Sequence, residues 1–119
     1  DNSEKYKVAP LNKSHAKYGF IEPIKFFTPS IAPTQIIKTE KFIKIPGKTI
    51  LYIGTLGWHV EEGDLSVHQL ILNEALNVEE HNIMPVNERV RDMIYIEELN
   101  KIFLFLESSG SIGILELNN

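Results

Sequence analysis

The sequence predicts an all-β fold on three observations. Short runs rich in β-branched and aliphatic residues recur along the chain, polar turn-forming clusters separate them, and no segment keeps a helical period over a long stretch. Runs of this kind pair into antiparallel meanders when tight polar turns join them.

Residues 1–19 are polar and lysine-rich, with Pro10 and Gly19 as breakers, and read as an N-terminal arm that packs little. The domain proper is expected over 20–119. Its first structured segment is 20–28, interrupted by Pro23, and it runs into the corner Pro29-Ser30-Ile31-Ala32-Pro33. Two prolines so close exclude a helix and weaken any central strand. Ile36 and Ile37 begin a strand after that corner. Residues 49–56 and 65–72 form a hairpin around 58–64, where Gly63 and Asp64 are turn formers. Residues 73–82 suit a short helix or a short edge strand, and the edge strand is the expectation. Residues 90–96, 101–106 and 111–117 then make a second meander, turned at 97–100 and 108–110. The continuous apolar run 102–106 predicts a strand buried on both faces. A propeller blade is one four-stranded meander. The chain holds about two such blades of a β-propeller.

At 119 residues the chain is one domain or a piece of a larger one. An apolar fraction of 43% with 24% charged residues belongs to a globular protein rather than a disordered one. No apolar run approaches the roughly 20 residues that span a bilayer, so no membrane span is expected. The first residues hold no apolar signal core, so any export signal is expected to have been removed or to lie upstream. The absence of cysteine excludes disulfides and thiolate metal sites and leaves the compartment open. Net charge is −4 but unevenly spread: nine lysines face four acids before Thr49, and three cations face twelve acids from Thr49 onward. Without a basic stripe, nucleic acid is not an expected partner.

Arg89 and Arg91, in Arg89-Val90-Arg91-Asp92, are the only arginines and sit in the acidic part. On a strand they share a face. Two guanidinium forks could then grip one planar anion; the alternative is local pairing with acids such as Glu88 and Asp92. Of the four histidines, His15 lies in the arm, His68 in a strand and His81 in a polar connection. His59, beside Trp58 in the turn, is the best candidate for a site residue, since a general base must sit near neutral pKa within reach of a hydroxyl. The Trp58-His59 pair could contact a sugar or a protein partner through its aromatic face, or simply plug a loop. No histidine pair has H-x-x-x-H spacing and no acidic cluster has EF-hand spacing.

The order Pro29-Ser30-Ile31-Ala32-Pro33, Leu51-Tyr52-Ile53-Gly54-Thr55-Leu56, 65–72, Arg89-Val90-Arg91-Asp92 and Phe103-Leu104-Phe105-Leu106-Glu107-Ser108 resembles the C-terminal third of the soluble glucose/sorbosone dehydrogenases. These are six-bladed β-propellers that bind pyrroloquinoline quinone (PQQ), and the likeness covers about residues 20–117. The resemblance implies that Arg89 and Arg91 face the quinone on the propeller axis, and that Ser30 and Ala32 to Thr34 line the same mouth. It implies a lysine contact to the cofactor where this chain has Gly57, and an aspartate where it has Glu107. It also implies that the general-base histidine and much of the calcium and cofactor shell belong to blades outside this chain. Location in the periplasm or outside the cell is the matching expectation.

Two functions are therefore expected alternatives. One is a fragment or subunit of a PQQ-type sugar dehydrogenase-like propeller, oxidising an aldose or related alcohol once the full site is assembled. The other is a non-enzymatic propeller module that assembles or holds an acidic ligand. Two blades leave open edges and an apolar face. The remaining blades of a longer polypeptide would cover them, or self-association would, and three copies would rebuild a six-bladed ring as a homotrimer.

Overall fold

A computed structural model describes residues 19, 21, 23–39 and 41–117. The expected arm therefore lies, but for Gly19, outside the described residues, as do His15 and Phe20. The fold is all-β, with seven strands in two antiparallel sheets. The first sheet takes β1 (Pro33–Lys38), β2 (Thr49–Thr55), β3 (Ser66–Leu72) and β4 (Val78–Pro85) in chain order. The second takes β5 (Val90–Ile96), β6 (Lys101–Leu106) and β7 (Ser111–Leu115), also in chain order. No described helix is long and apolar enough to cross a membrane.

Alternation explains how the sheets stack. In β2 and β3 the pairs Ile50 with Ile71 and Tyr52 with Gln69 point to one side, and Leu51 with Leu70 and Ile53 with His68 to the other. The first side packs Ile50, Tyr52, Val67 and Ile71 against Val90, Met93, Ile102, Leu104 and Leu106 of the second sheet, all buried. Phe42, between β1 and β2, bridges the layers edge-on to Tyr52 and Tyr95, with centroids at 5.8 and 6.0 Å. One polar ladder crosses this core: Gln69 donates to the Tyr52 hydroxyl at 3.0 Å and accepts from Asn82 at 2.8 Å. That partnering is what makes a buried amide tolerable. The other side of the first sheet is covered by the irregular strap 23–31, which contributes Ile31 and Phe27 to a smaller cluster with Ile53, Leu70 and Leu72. The segment expected over 20–28 thus forms no strand within its described part, because Pro23 and Pro29 remove donors and it serves instead as a lid on the sheet.

Two expectations need correction. Residues 73–82 do not start as a strand: Asn73 Oδ1 accepts from the backbone N–H of Ala75 and Asn77, both at 3.0 Å, closing a turn. The edge strand begins at Val78 and runs on to Pro85, with Glu79 and Glu80 and a terminal proline blunting the edge. Strand β6 is not buried on both faces. Its alternate residues Ile102, Leu104 and Leu106 are buried, while Phe105 is 55% exposed. The second meander has the three strands expected of it, the last ending at Leu115.

Candidate functional site

The corner after the strap, the end of β2, the start of β5 and the end of β6 converge at one end of the two sheets. The Leu56 N–H donates to Ala32 O at 3.0 Å, and the Thr34 hydroxyl donates to Val90 O at 2.9 Å. Ser30 accepts from the Ala32 N–H at 3.2 Å and so shapes the corner, where Ala32 has φ 50. The Leu56 carbonyl in turn accepts from Arg89 Nε at 3.1 Å.

Arg89 and Arg91 meet on one planar anion, and it is the carboxylate of Glu107. Arg91 donates to Oε1 through Nε at 3.0 Å and also through Nη2. Arg89 Nη1 lies 2.7 Å from Oε2, an ion pair without a directed hydrogen bond, since this buried oxygen accepts none. Strand register brings this about. Val90 pairs with Leu106, and the Glu107 N–H donates to Arg89 O at 2.9 Å, so 107 lies across from 89. A bulge between Val90 and Asp92 then re-aims Arg91. The acids named as local partners do other work: Glu88 accepts from the Ser109 N–H and Asp92 from the Met93 N–H. Both arginines hold the Glu107 carboxyl below its ordinary range, the Arg91 hydrogen bond most of all, against a smaller opposing effect of burial. The three charges sum to one positive charge.

Trp58 reaches this cluster by stacking. The Arg89 guanidinium lies 4.4 Å from the centroid of its ring, and the indole is 72% exposed. The loop that carries it is closed tightly. Thr55 Oγ1 accepts from the Ser66 N–H and donates to Ser66 O, both at 2.9 Å, where the strand ladder ends. The Gly57 N–H donates to Asp64 O at 2.7 Å, and buried Asp64 accepts from the His59 N–H at 2.7 Å. A Cβ on Gly57 would stand 1.9 Å from Asp64 Cγ. The lysine implied at this position therefore has no room here, and the cationic contact it would make is lacking. His59 points toward Glu61, with 3.6 Å between Nδ1 and the carboxylate, and both are well exposed. The geometry thus gathers Thr34, Trp58, Arg89, Arg91 and Glu107, and leaves His59 to its own loop. Glu107, expected as an aspartate analogue at a strand end, is the residue on which the cluster turns.

Among the described residues no three His, Cys, Asp or Glu side chains gather so as to hold a metal ion. Comparison with family models, with curated proteins and with solved structures gives no match for this chain.

Proposed function

We propose that this chain forms adjacent blades of a propeller of the soluble sugar dehydrogenase type, whose mouth takes a planar anionic quinone and a sugar alcohol. The observation that carries the reading is the convergence at one end of the two sheets of Arg89 and Arg91, the pair the resemblance sets at the mouth, with Trp58 stacked on Arg89. PQQ, when bound, would supply the two-electron acceptor for alcohol oxidation. The residues fit it in part. Arg89 uses Nε and Nη1, and Arg91 uses Nε and Nη2, on Leu56 and Glu107. Arg89 Nη2 and Arg91 Nη1 remain to receive a carboxylate, and a guanidinium fork orients such a group. The outer face of Trp58 is open to a sugar ring, beside His59. Calcium has no ligand set among the described residues, and the base that would take the hydroxyl proton falls to other blades. A periplasmic or secreted setting accompanies this reading.

Trp58 is the single tryptophan, so its emission reports the mouth directly. Titration with PQQ is expected to quench it saturably, with affinity about fivefold weaker in Arg91→Ala, an exposed charged contact being worth about 1 kcal/mol. Equal affinity in the variant, or no saturable quenching, overturns the reading.

A second reading, assembly without catalysis, has its own observation. The outward face of the second sheet exposes Ile94, Phe105, Ile112 and Ile114, each more than half accessible, and no described residue covers them. A sheet face this apolar calls for another layer. Under this reading a second copy covers it, a homotrimeric ring being the closed form, and light scattering is expected to give a multiple of the chain mass that collapses to one chain in Phe105→Lys/Ile112→Lys. A monomeric wild type removes self-association and leaves other blades as the cover.

A further inference from the structure

Two histidines on adjacent strands of the first sheet meet ring to ring. His68, fully buried on β3, has its Nε2 2.6 Å from Gly63 O and its Nδ1 2.7 Å from His81 Nε2 on β4. A carbonyl can only accept, so His68 carries its proton on Nε2 and turns the lone pair of Nδ1 toward His81. An imidazole whose far N–H is held by a backbone carbonyl is oriented as metal-ligating histidines are. Register brings the rings together: His68 pairs with Ile83 and Leu70 with His81, so the two are diagonal neighbours on one face. Both line a cavity of about 200 Å³ between the strap and the sheet.

We infer that His68 Nδ1 and His81 Nε2 form a two-imidazole site for a divalent transition cation, copper(II) before zinc, which takes the place of the proton between them. The ring proton of His81 moves through water to its Nδ1, so both imidazoles stay neutral and the ion is the only charge added. Two nitrogens bound at about 2.0–2.1 Å lie about 2.9 Å apart when they meet the ion at a right angle, and about 3.4 Å apart at the tetrahedral angle. The pair at 2.7 Å therefore opens by only about 0.2 Å for tetragonal copper and by about 0.7 Å for tetrahedral zinc. The lone pairs must also converge beside the nitrogen–nitrogen line, and His81 does the turning. Its strand is the edge of the sheet and its side chain is half-buried, whereas His68 is held by Gly63 O. Phe27 lies edge-on to both rings, Lys25 on the strap opposes a cation, and Glu62, beside Gly63, is the one acid lining the cavity and attracts one. Burial, then His68, then Lys25 keep His81 less basic than an ordinary histidine, so a proton competes less with the ion there. No third ligand gathers among the described residues, so water completes the coordination. Imidazole suits copper and zinc, and copper(II) leads the general order of affinities; calcium and magnesium want oxygen ligands. The site shares no residue with the Arg89 cluster and stands whether or not PQQ binds there.

The test uses the full chain without PQQ. His15→Gln/His59→Gln leaves this pair as the only imidazoles in the sequence. In that background, calorimetric titration with copper(II) is expected to show one ion per chain, and titration with calcium no response. Electron paramagnetic resonance of the bound copper is expected to show splitting by two nitrogens. Adding His81→Gln, which keeps an N–H for His68 but offers no imidazole, is expected to weaken binding about tenfold or more, since even losing a partner behind a ligand costs that much. Absence of one-to-one binding, splitting by a single nitrogen, an equal response to calcium, or an affinity unchanged by His81→Gln each overturns the site and leaves an adventitious ion only. Should the chain with His81→Gln fail to fold, nitrogen-detected NMR of the His15→Gln/His59→Gln background with zinc decides. His68 Nδ1 and His81 Nε2 must then shift together at one zinc midpoint, and a shift at one ring alone overturns the site.

Discussion

Gly57→Ala is expected to lower the unfolding free energy by about 3 kcal/mol, the upper end of what over-packing costs. The cause is space rather than backbone conformation, since Gly57 does not occupy the left-handed region. The new Cβ would lie 1.9 Å from Asp64 Cγ, 2.0 Å from its Oδ2 and 2.3 Å from its Cβ. Trimming Asp64 to alanine leaves the last of these clashes in place, so Asp64→Ala does not rescue the variant. The loop can accept the methyl only by parting the Gly57 N–H to Asp64 O hydrogen bond, and buried Asp64 then no longer meets the His59 N–H. A buried carboxylate left without its donor adds to the loss. Urea denaturation followed by circular dichroism measures the change, and native Trp58 emission should shift as the indole leaves Arg89. An unchanged urea midpoint would show that the loop has slack the geometry denies. The same clash bears on function, for it fixes glycine where the resemblance implies a cationic contact.

The strand pattern was legible because its signals are local. The runs 49–56, 65–72, 90–96 and 101–106 match strands to within a residue, since β-branched and aliphatic residues between turn formers leave the backbone few alternatives. Burial was not local. The unbroken run through Phe105 looks the same whether a second sheet covers its outer face or not. The edge strand was misplaced because Asn73 caps a turn with its own side chain, which a count of apolar positions does not register.

The site was half legible. Two arginines at strand spacing announced that one anion could be shared, but naming that anion required the register of β5 on β6 and a bulge that no sequence period encodes. Glu107 was visible as a strand-end acid, and only the pairing of Val90 with Leu106 carries it across to Arg89. The histidine pair was hidden for the same reason. His68 pairs with Ile83 and Leu70 with His81, so the two imidazoles are diagonal neighbours on one face, a relation set by where β4 begins after the Asn73 turn.

Glu107→Gln is expected to pull stability and binding in opposite directions. The carboxylate is stabilised by both arginines, so its proton affinity is lower in the folded chain than in the unfolded one. A group depressed in this way contributes stability that is present above its unfolded value, near 4.5, and is lost as pH falls through the lower folded value. The wild type should therefore lose stability below about pH 4.5 along a steeper course than the variant, which lacks the titrating group. At neutral pH the variant should be the less stable, because two guanidinium groups then face each other without their counter-ion. Binding should move the other way. Glu107 holds Arg91 Nε and Nη2 and Arg89 Nη1, leaving an incoming carboxylate only the remaining Nη groups, and its removal frees those donors and raises the charge of the cluster from one positive to two. Affinity for PQQ, read by Trp58 quenching, is expected to rise about tenfold, with a steeper dependence on salt. Weaker binding in Glu107→Gln would show that the glutamate orients the arginines for the ligand instead of occupying its place, and the reading of the cluster as a self-occupied anion mouth would fall.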